Sequence, residues 1–132
     1  MHVTEVSFGA VRSLARAARR EGVTLRDLPP LESVASSDPE VTWFAAFDER
    51  RVVACGYVRR LPLRARLGGC FVLPEFRGRG LGEELVRVRF DVARGAADVV
   101  DVFAFRSRLF LKLGFAPRRT FKLGTTHLEW RR

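Results

Sequence analysis

The chain is poor in the residues that most often staple small folds or bind metals. Its 132 residues include two cysteines, two histidines, two lysines, one tyrosine and one methionine. Two cysteines, Cys55 and Cys70, cannot build a disulfide framework. They lie almost symmetrically about Pro62, so a hairpin there would bring them together on adjacent strands as buried thiols. His2 and His127 stand too far apart in the chain to suggest a metal cluster, and no metal is expected. No apolar run reaches the length of a membrane span. The start, Met1-His2-Val3-Thr4-Glu5, lacks both the basic opening and the apolar block of a signal peptide. These absences point to a cytoplasmic protein with no membrane partner.

What remains is apolar and arginine-rich. An apolar content of 47% with 11 phenylalanines supports a packed core, and the length suits one domain over residues 1–132. The formal charge is +9, and 22 of the 24 cations are arginine. Such a balance fits a phosphate-bearing ligand, RNA or DNA; it equally fits solvated arginine faces.

Residues 3–7 alternate as a short strand. From Phe8 to Glu21, Val11, Leu14, Ala15 and Ala18 recur at helical spacing opposite Arg12, Arg16, Arg19 and Arg20, and Gly22 stops the helix. The prolines and serines of residues 23–40 predict a short broken helix and a loop. Strands are then expected at Thr42–Phe47, Val52–Val58 and Arg66–Leu73, forming an antiparallel meander that turns at residues 48–51 and at Pro62. Gly68-Gly69 marks a bulge or a close approach within the third of these. Leu81, Leu85, Val88 and Val92 form a helical stripe ending at Gly95. The apolar strand 98–105 should lie parallel to the strand before that helix, through a right-handed crossover. A short helix at 106–113 and a hairpin of residues 116–123 and 125–130, hinged at Gly124, close the chain.

The most informative segment runs from Val72 to Leu85: Val-Leu-Pro-Glu-Phe-Arg-Gly-Arg-Gly-Leu-Gly-Glu-Glu-Leu. An apolar strand ends at Pro74, a glycine- and arginine-rich turn follows, and a helix begins. Unpaired N–H groups at a helix start, with the helix dipole and glycines that admit a ligand to the backbone, make a place for phosphate. The triphosphate loop is excluded because no lysine follows the glycines, and the dinucleotide fingerprint because Glu83 stands three residues after Gly80. What is present is Arg77-x-x-Gly80-x-Gly82.

This segment resembles the acyl-CoA-binding signature of the GNAT acyltransferase family, Arg/Gln-x-x-Gly-x-Gly/Ala. Phe110-Leu111-Lys112-Leu113-Gly114-Phe115 resembles the Tyr-x-Lys-Leu-Gly-Phe near the end of many members. The expected order of strands and helices follows the family over essentially the whole chain. The resemblance implies an α+β (mixed α/β) fold with a central mixed sheet of six to seven strands and about four helices. The sheet would splay between the strand ending near Leu73 and the strand 98–105. It also implies transfer of an acyl group, acetyl by default, from acyl-CoA (acetyl-CoA, with coenzyme A released) to an amine on a small molecule, a peptide or protein, or tRNA. Members often form homodimers. By resemblance, the backbone of Gly78, Arg79, Gly80, Leu81 and Gly82 would hold the pyrophosphate, with charge from Arg77 and Arg79. The strand edge at Phe71, Val72 and Leu73 would pair with the pantetheine arm.

The proton chemistry departs from the family. Phe110 stands where members often carry a tyrosine general acid, and it has no proton to give. Ser107 offers a hydroxyl near the start of the same helix, as a donor or as an N-cap. Asp101 sits inside an apolar strand, where a carboxylate is costly unless it is useful or paired. It could draw a proton through water, fix an ammonium, or pair with one of the many arginines. His127 shares a strand face with Glu129 and is a residue type that titrates near neutrality, in a catalytic or a structural role. The competing reading is a basic nucleic-acid-binding or acyl-CoA-sensing protein on the same fold without acyl transfer.

Overall fold

The computed structural model describes residues 3–20 and 39–132. The broken helix expected at 23–40 falls, up to residue 38, outside the described residues. The elements run β1 (Val3–Val6), α1 (Phe8–Arg20), β2 (Val41–Asp48), β3 (Arg51–Leu61), β4 (Arg64–Val72), a 3-10 turn (Pro74–Phe76), α2 (Leu81–Ala96), β5 (Val99–Ala104), α3 (Arg108–Lys112), β6 (Ala116–Thr120) and β7 (Thr126–Arg131). Seven strands form one mixed sheet in the order β1-β2-β3-β4-β5-β7-β6. Three α-helices are present among the described residues, where about four were expected for the whole chain.

The meander forms where the turns permit it. At Pro62-Leu63 the proline presets the first turn position and Leu63 takes φ +64°, joining the paired residues Leu61 and Arg64. α1 presents Val11, Leu14 and Ala18 to β2 and β3, with Phe8 against Trp43 and Trp43 edge-on to Tyr57. Side chains alternate across a strand, so the neighbouring Gly56 faces the other side, where Arg89 of α2 lies against it. The two long helices therefore cover opposite faces of the sheet.

The buried stripe of α2 differs from the expected one. It comprises Leu81, Leu85, Val86, Arg89, Phe90 and Ala93, whereas Val92 is exposed and Val88 half-buried. The apolar residues at 81 and 85 belong equally to two helical stripes. Packing against the sheet selects the one containing Phe90, whose ring meets Phe115 and Trp130. Gly95 lies within the helix, which stops where Ala97 turns extended at φ −150°.

One break in the sheet positions the site. β4 and β5 are parallel and pair only at Ala65–Val100, Arg66–Asp101 and Leu67–Val102. Beyond Leu67 and Val102 the strands part, as expected. From Gly68 onward β4 stays paired to β3 on one side and leaves its other edge unpaired with β5.

Candidate active site

The glycine- and arginine-rich loop lies just past that break. β4 ends, the 3-10 turn carries Phe76 into the core, and the chain rises through Arg77 to Gly80 before α2 begins. Gly78 and Gly80 adopt φ +76° and +81°, a region that side chains rarely enter, and a Cβ added at either would meet open space. Gly80 is the N-cap and supplies no side chain; its carbonyl accepts the first helical bond from Glu84 N–H at 3.0 Å. The N–H groups of Leu81, Gly82 and Glu83 are thereby the donors a helix start leaves without helical partners. Gly82 has ordinary helical backbone, and its position approaches the Val72 side chain at 3.9 Å.

The two loop arginines are placed differently. Arg77 folds back, its Nε donating to the Val72 carbonyl at 3.0 Å and its guanidinium lying 5.7 Å from the Phe71 ring centre. Arg79 lies 5.0 Å from the Phe76 ring centre. Both stand in the loop between the end of β4 and the start of α2. Glu75, beside them, pairs with Arg51 at 2.9 Å on the surface.

On the sheet face opposite α2, side chains of four strands converge. Asp101 of β5 is fully buried and accepts from Arg66 Nε at 2.8 Å, Arg66 Nη2 at 3.2 Å and Arg64 Nη1 at 3.0 Å. His127 of β7 sets its Nε2 3.4 Å from Asp101 Oδ2. Its ring stacks on Phe103, with centres 4.6 Å apart and planes 14° from parallel. Glu129 takes Arg64 at 3.3 Å, Arg118 at 3.1 Å and Arg131 at 3.2 Å. Burial alone would raise the Asp101 carboxyl, but hydrogen bonds from Arg66 and Arg64, the Arg66 charge and the His127 contact outweigh it. Its pKa is held below the usual carboxylate range. Glu129 is lowered likewise: burial opposes ionisation, and the charges of Arg131, Arg118 and Arg64 overcome it.

Of the residues singled out for proton chemistry, Asp101 and His127 thus meet in one cluster at the root of the splay. Ser107 does not join them. It occupies the N-cap position of α3, and its side chain makes no capping hydrogen bond. Phe110 is buried and packs edge-on against Phe115, 5.4 Å between ring centres. Ligand atoms of Asp101, His127 and Glu129 lie within 4.8 Å of one another, a spacing that could hold a cation. The four arginines on these carboxylates already occupy their oxygens with donors, so the set does not fit a metal.

Two features escaped the sequence reading. Arg89 is buried within the apolar stripe of α2; an arginine among leucines at helical spacing is its one trace in the sequence. Tyr57, the sole tyrosine, lays its ring over Gly68 and Gly69 of β4; the tandem glycines were the visible half of that contact. The cysteines also differ in burial: Cys55 is buried and Cys70 exposed, not both buried as expected. The bulge at Gly69 breaks the alternation that would have carried both inward.

A profile of the acetyltransferase (GNAT) family matches residues 9–115. No curated relative matches the chain by sequence. Among solved structures, the Mycobacterium tuberculosis protein Rv2747 in complex with CoA superposes with a TM-score of 0.76 at 16% identity, covering 100% of this chain and 99% of that one. Escherichia coli ElaA gives 0.75 at 12% identity, covering 98% and 97%. The PaiA N-acetyltransferase of Thermoplasma acidophilum in complex with coenzyme A gives 0.67 at 13% identity, covering 100% of both chains. The chain belongs to the GNAT acetyltransferase family and has its fold.

Proposed function

We propose that the protein transfers an acyl group, acetyl by default, from acyl-CoA to an amine acceptor. The observation that carries this reading is the glycine-capped start of α2 set against the unpaired edge of β4. In this reading the pyrophosphate meets the N–H groups of residues 80–83 and the charges of Arg77 and Arg79. The pantetheine arm adds to the β4 edge along Phe71, Val72 and Leu73 by backbone pairing, displacing Arg77 from the Val72 carbonyl. That GNAT structures of the same fold hold CoA supports the assignment.

The thioester then lies in the splay, beside the His127 cluster. Acyl transfer needs a neutral amine to attack the thioester carbon, an oxyanion to form and collapse, and the C–S bond to break. In this reading His127 takes the amine proton. Its Nε2 faces the Asp101 carboxylate, which favours the tautomer with the proton there and leaves Nδ1 to accept. Asp101 orients His127 and stabilises the imidazolium; bound by two arginines, it is poorly placed to serve as the base itself. The CoA thiolate takes its proton from water or Ser107, because Phe110 carries none.

Thermal melting with acetyl-CoA, joined to product mass spectrometry against amines, peptides and tRNA, tests the reading. Stabilisation by acetyl-CoA and one acylated product are expected. Indifference to every CoA thioester would overturn it. The buried Phe110 motivates a second reading, acyl-CoA binding without turnover, which would give stabilisation and no product.

A further inference from the structure

Arg89 is the one buried cation among the described residues, 1% exposed, and no carboxylate there bonds it. Its guanidinium is spent on backbone carbonyls instead. Nε donates to Leu85 O at 3.1 Å within its own helix. Nη1 donates across to Gly68 O at 2.9 Å and more weakly to Tyr57 O at 3.4 Å. Burying a charge this way is costly, and an apolar residue in the stripe would satisfy the helix alone. The sequence around it has also made room. A Cβ at Gly56 would lie 2.8 Å from the guanidinium, so the glycine leaves the space in which Arg89 meets the strands.

The two carbonyls that cross to it mark an irregularity in the sheet. Tyr57 pairs with Gly68 and Cys55 with Phe71, so β4 holds one more residue than β3 in that interval. The extra residue is accommodated at Gly69, with φ +61°. A bulge of this kind interrupts the ladder and leaves backbone groups without strand partners. Arg89 supplies a donor to both strands there, from one face. From the other face the Tyr57 ring covers Gly68 and Gly69, where added Cβ atoms would lie 2.4 and 2.7 Å from it. Three glycines, one arginine and one tyrosine thus hold a single bulge. It begins one residue after Leu67, the last residue of β4 paired with β5. The bulge therefore sets the direction in which Phe71, Val72 and Leu73 leave toward the phosphate loop.

We propose that Arg89 is a positioning residue for the acyl donor, fixing the β4 bulge so that the free strand edge meets the pantetheine arm. This rests on the acyl-CoA reading above. The test uses two ligands that share the phosphate loop but not the strand edge: acetyl-CoA, and 3′-phosphoadenosine 5′-diphosphate, the CoA fragment without pantetheine. Calorimetric titration of Arg89→Met should show acetyl-CoA weakened about tenfold or more, the size of one or two lost hydrogen bonds. The fragment should stay within about twofold of its parent value, well inside one hydrogen bond's worth. Arg89→Lys, which keeps the charge and reaches fewer carbonyls, should fall between, and it carries the comparison if Arg89→Met does not fold. Equal losses for both ligands, or no loss for either, overturn the proposal. A parent protein that binds the fragment as tightly as acetyl-CoA also overturns it, because the arm then gains nothing from β4. A parent that binds neither ligand defeats the acyl-CoA reading itself.

Discussion

The two sides of the splay are built by opposite means. The glycine loop, proposed to hold phosphate, relies on backbone: two glycines at positive φ, a helix start without a side-chain cap, and open space where side chains would stand. Its nearby ion pairs, Arg51–Glu75 and Arg87–Glu83, are surface pairs of the kind that contribute little. The cluster around Asp101 relies on side chains from β4, β5, β6 and β7, every one of them already engaged. Backbone donors at a helix start face water at little cost and need no internal partner. A buried carboxylate cannot wait in that way, so it recruits arginines. The difference bears on mechanism. In the proposed reading the donor side accepts a charged ligand directly, while Asp101 acts on an acceptor through His127.

The sharpest way to break this comparison is at Gly80. Gly80→Val forces a β-branched residue to φ +81° and places its methyls in the open space where, in the proposed reading, the pyrophosphate approaches. Stabilisation by acetyl-CoA in a melting experiment should vanish, while folding stability falls by about 1–3 kcal/mol from backbone strain. Gly82→Ala is the control. Its backbone is helical and its nearest neighbour stands at 3.9 Å, so the fold should be unharmed. On the side-chain side, His127→Gln should lower kcat by roughly a hundredfold, the low end of general-base contributions, and leave the KM for acetyl-CoA near its parent value. A parent-like kcat would remove His127 from the proton path.

The same contrast explains what could be read from the sequence. Arg77-x-x-Gly80-x-Gly82 was legible because a backbone site is local: contiguous residues write it, and glycine betrays positive φ. The splay was legible through the helix that separates β4 from β5. The partners of Asp101 were not, since Arg64, Arg66 and His127 lie 37, 35 and 26 residues away, and 22 arginines offer no way to choose two. Arg89 was hidden for a different reason. Helical spacing assigned the apolar stripe to Val88 and Val92, and tertiary packing shifted it by one position to include a charge. The cysteines failed at the bulge, because alternation holds only while the ladder is regular.

Asp101 permits a smaller test. Asp101→Asn should cost roughly 2 kcal/mol near neutrality. That is less than breaking a fully buried pair, because Arg64 and Arg66 are each 34% exposed and can turn toward water. The sign follows from the lowered pKa. The parent's extra stability is present above the unfolded carboxyl value, about pH 4, and is lost as pH falls through the folded value below it. Urea midpoints of parent and variant should therefore converge in acid. A gap that stays constant from pH 7 to pH 3 would mean that ionised Asp101 is not what the arginines hold.

The two thiols give the smallest effect, and it falls on the strand between the two regions. Burial pushes the Cys55 thiol up to about 12, reinforced by nearby Cys70 and opposed by Arg89 and a backbone hydrogen bond from Phe71. An aromatic disulfide reagent at mild alkaline pH should accordingly modify Cys70 at once and Cys55 only on unfolding. A raised thiol stabilises the fold fully below the unfolded thiol value and progressively less as pH climbs toward 12. Cys55 should thus withdraw about 1 kcal/mol between pH 9 and 10, a slope that Cys55→Ala abolishes. Cys70 sits between the bulge and Phe71, beside the edge assigned to the pantetheine arm. Saturating acetyl-CoA should slow its modification several-fold, whereas 3′-phosphoadenosine 5′-diphosphate should not. Equal protection by both would place the ligand on the loop alone and leave the β4 edge without a part in donor binding.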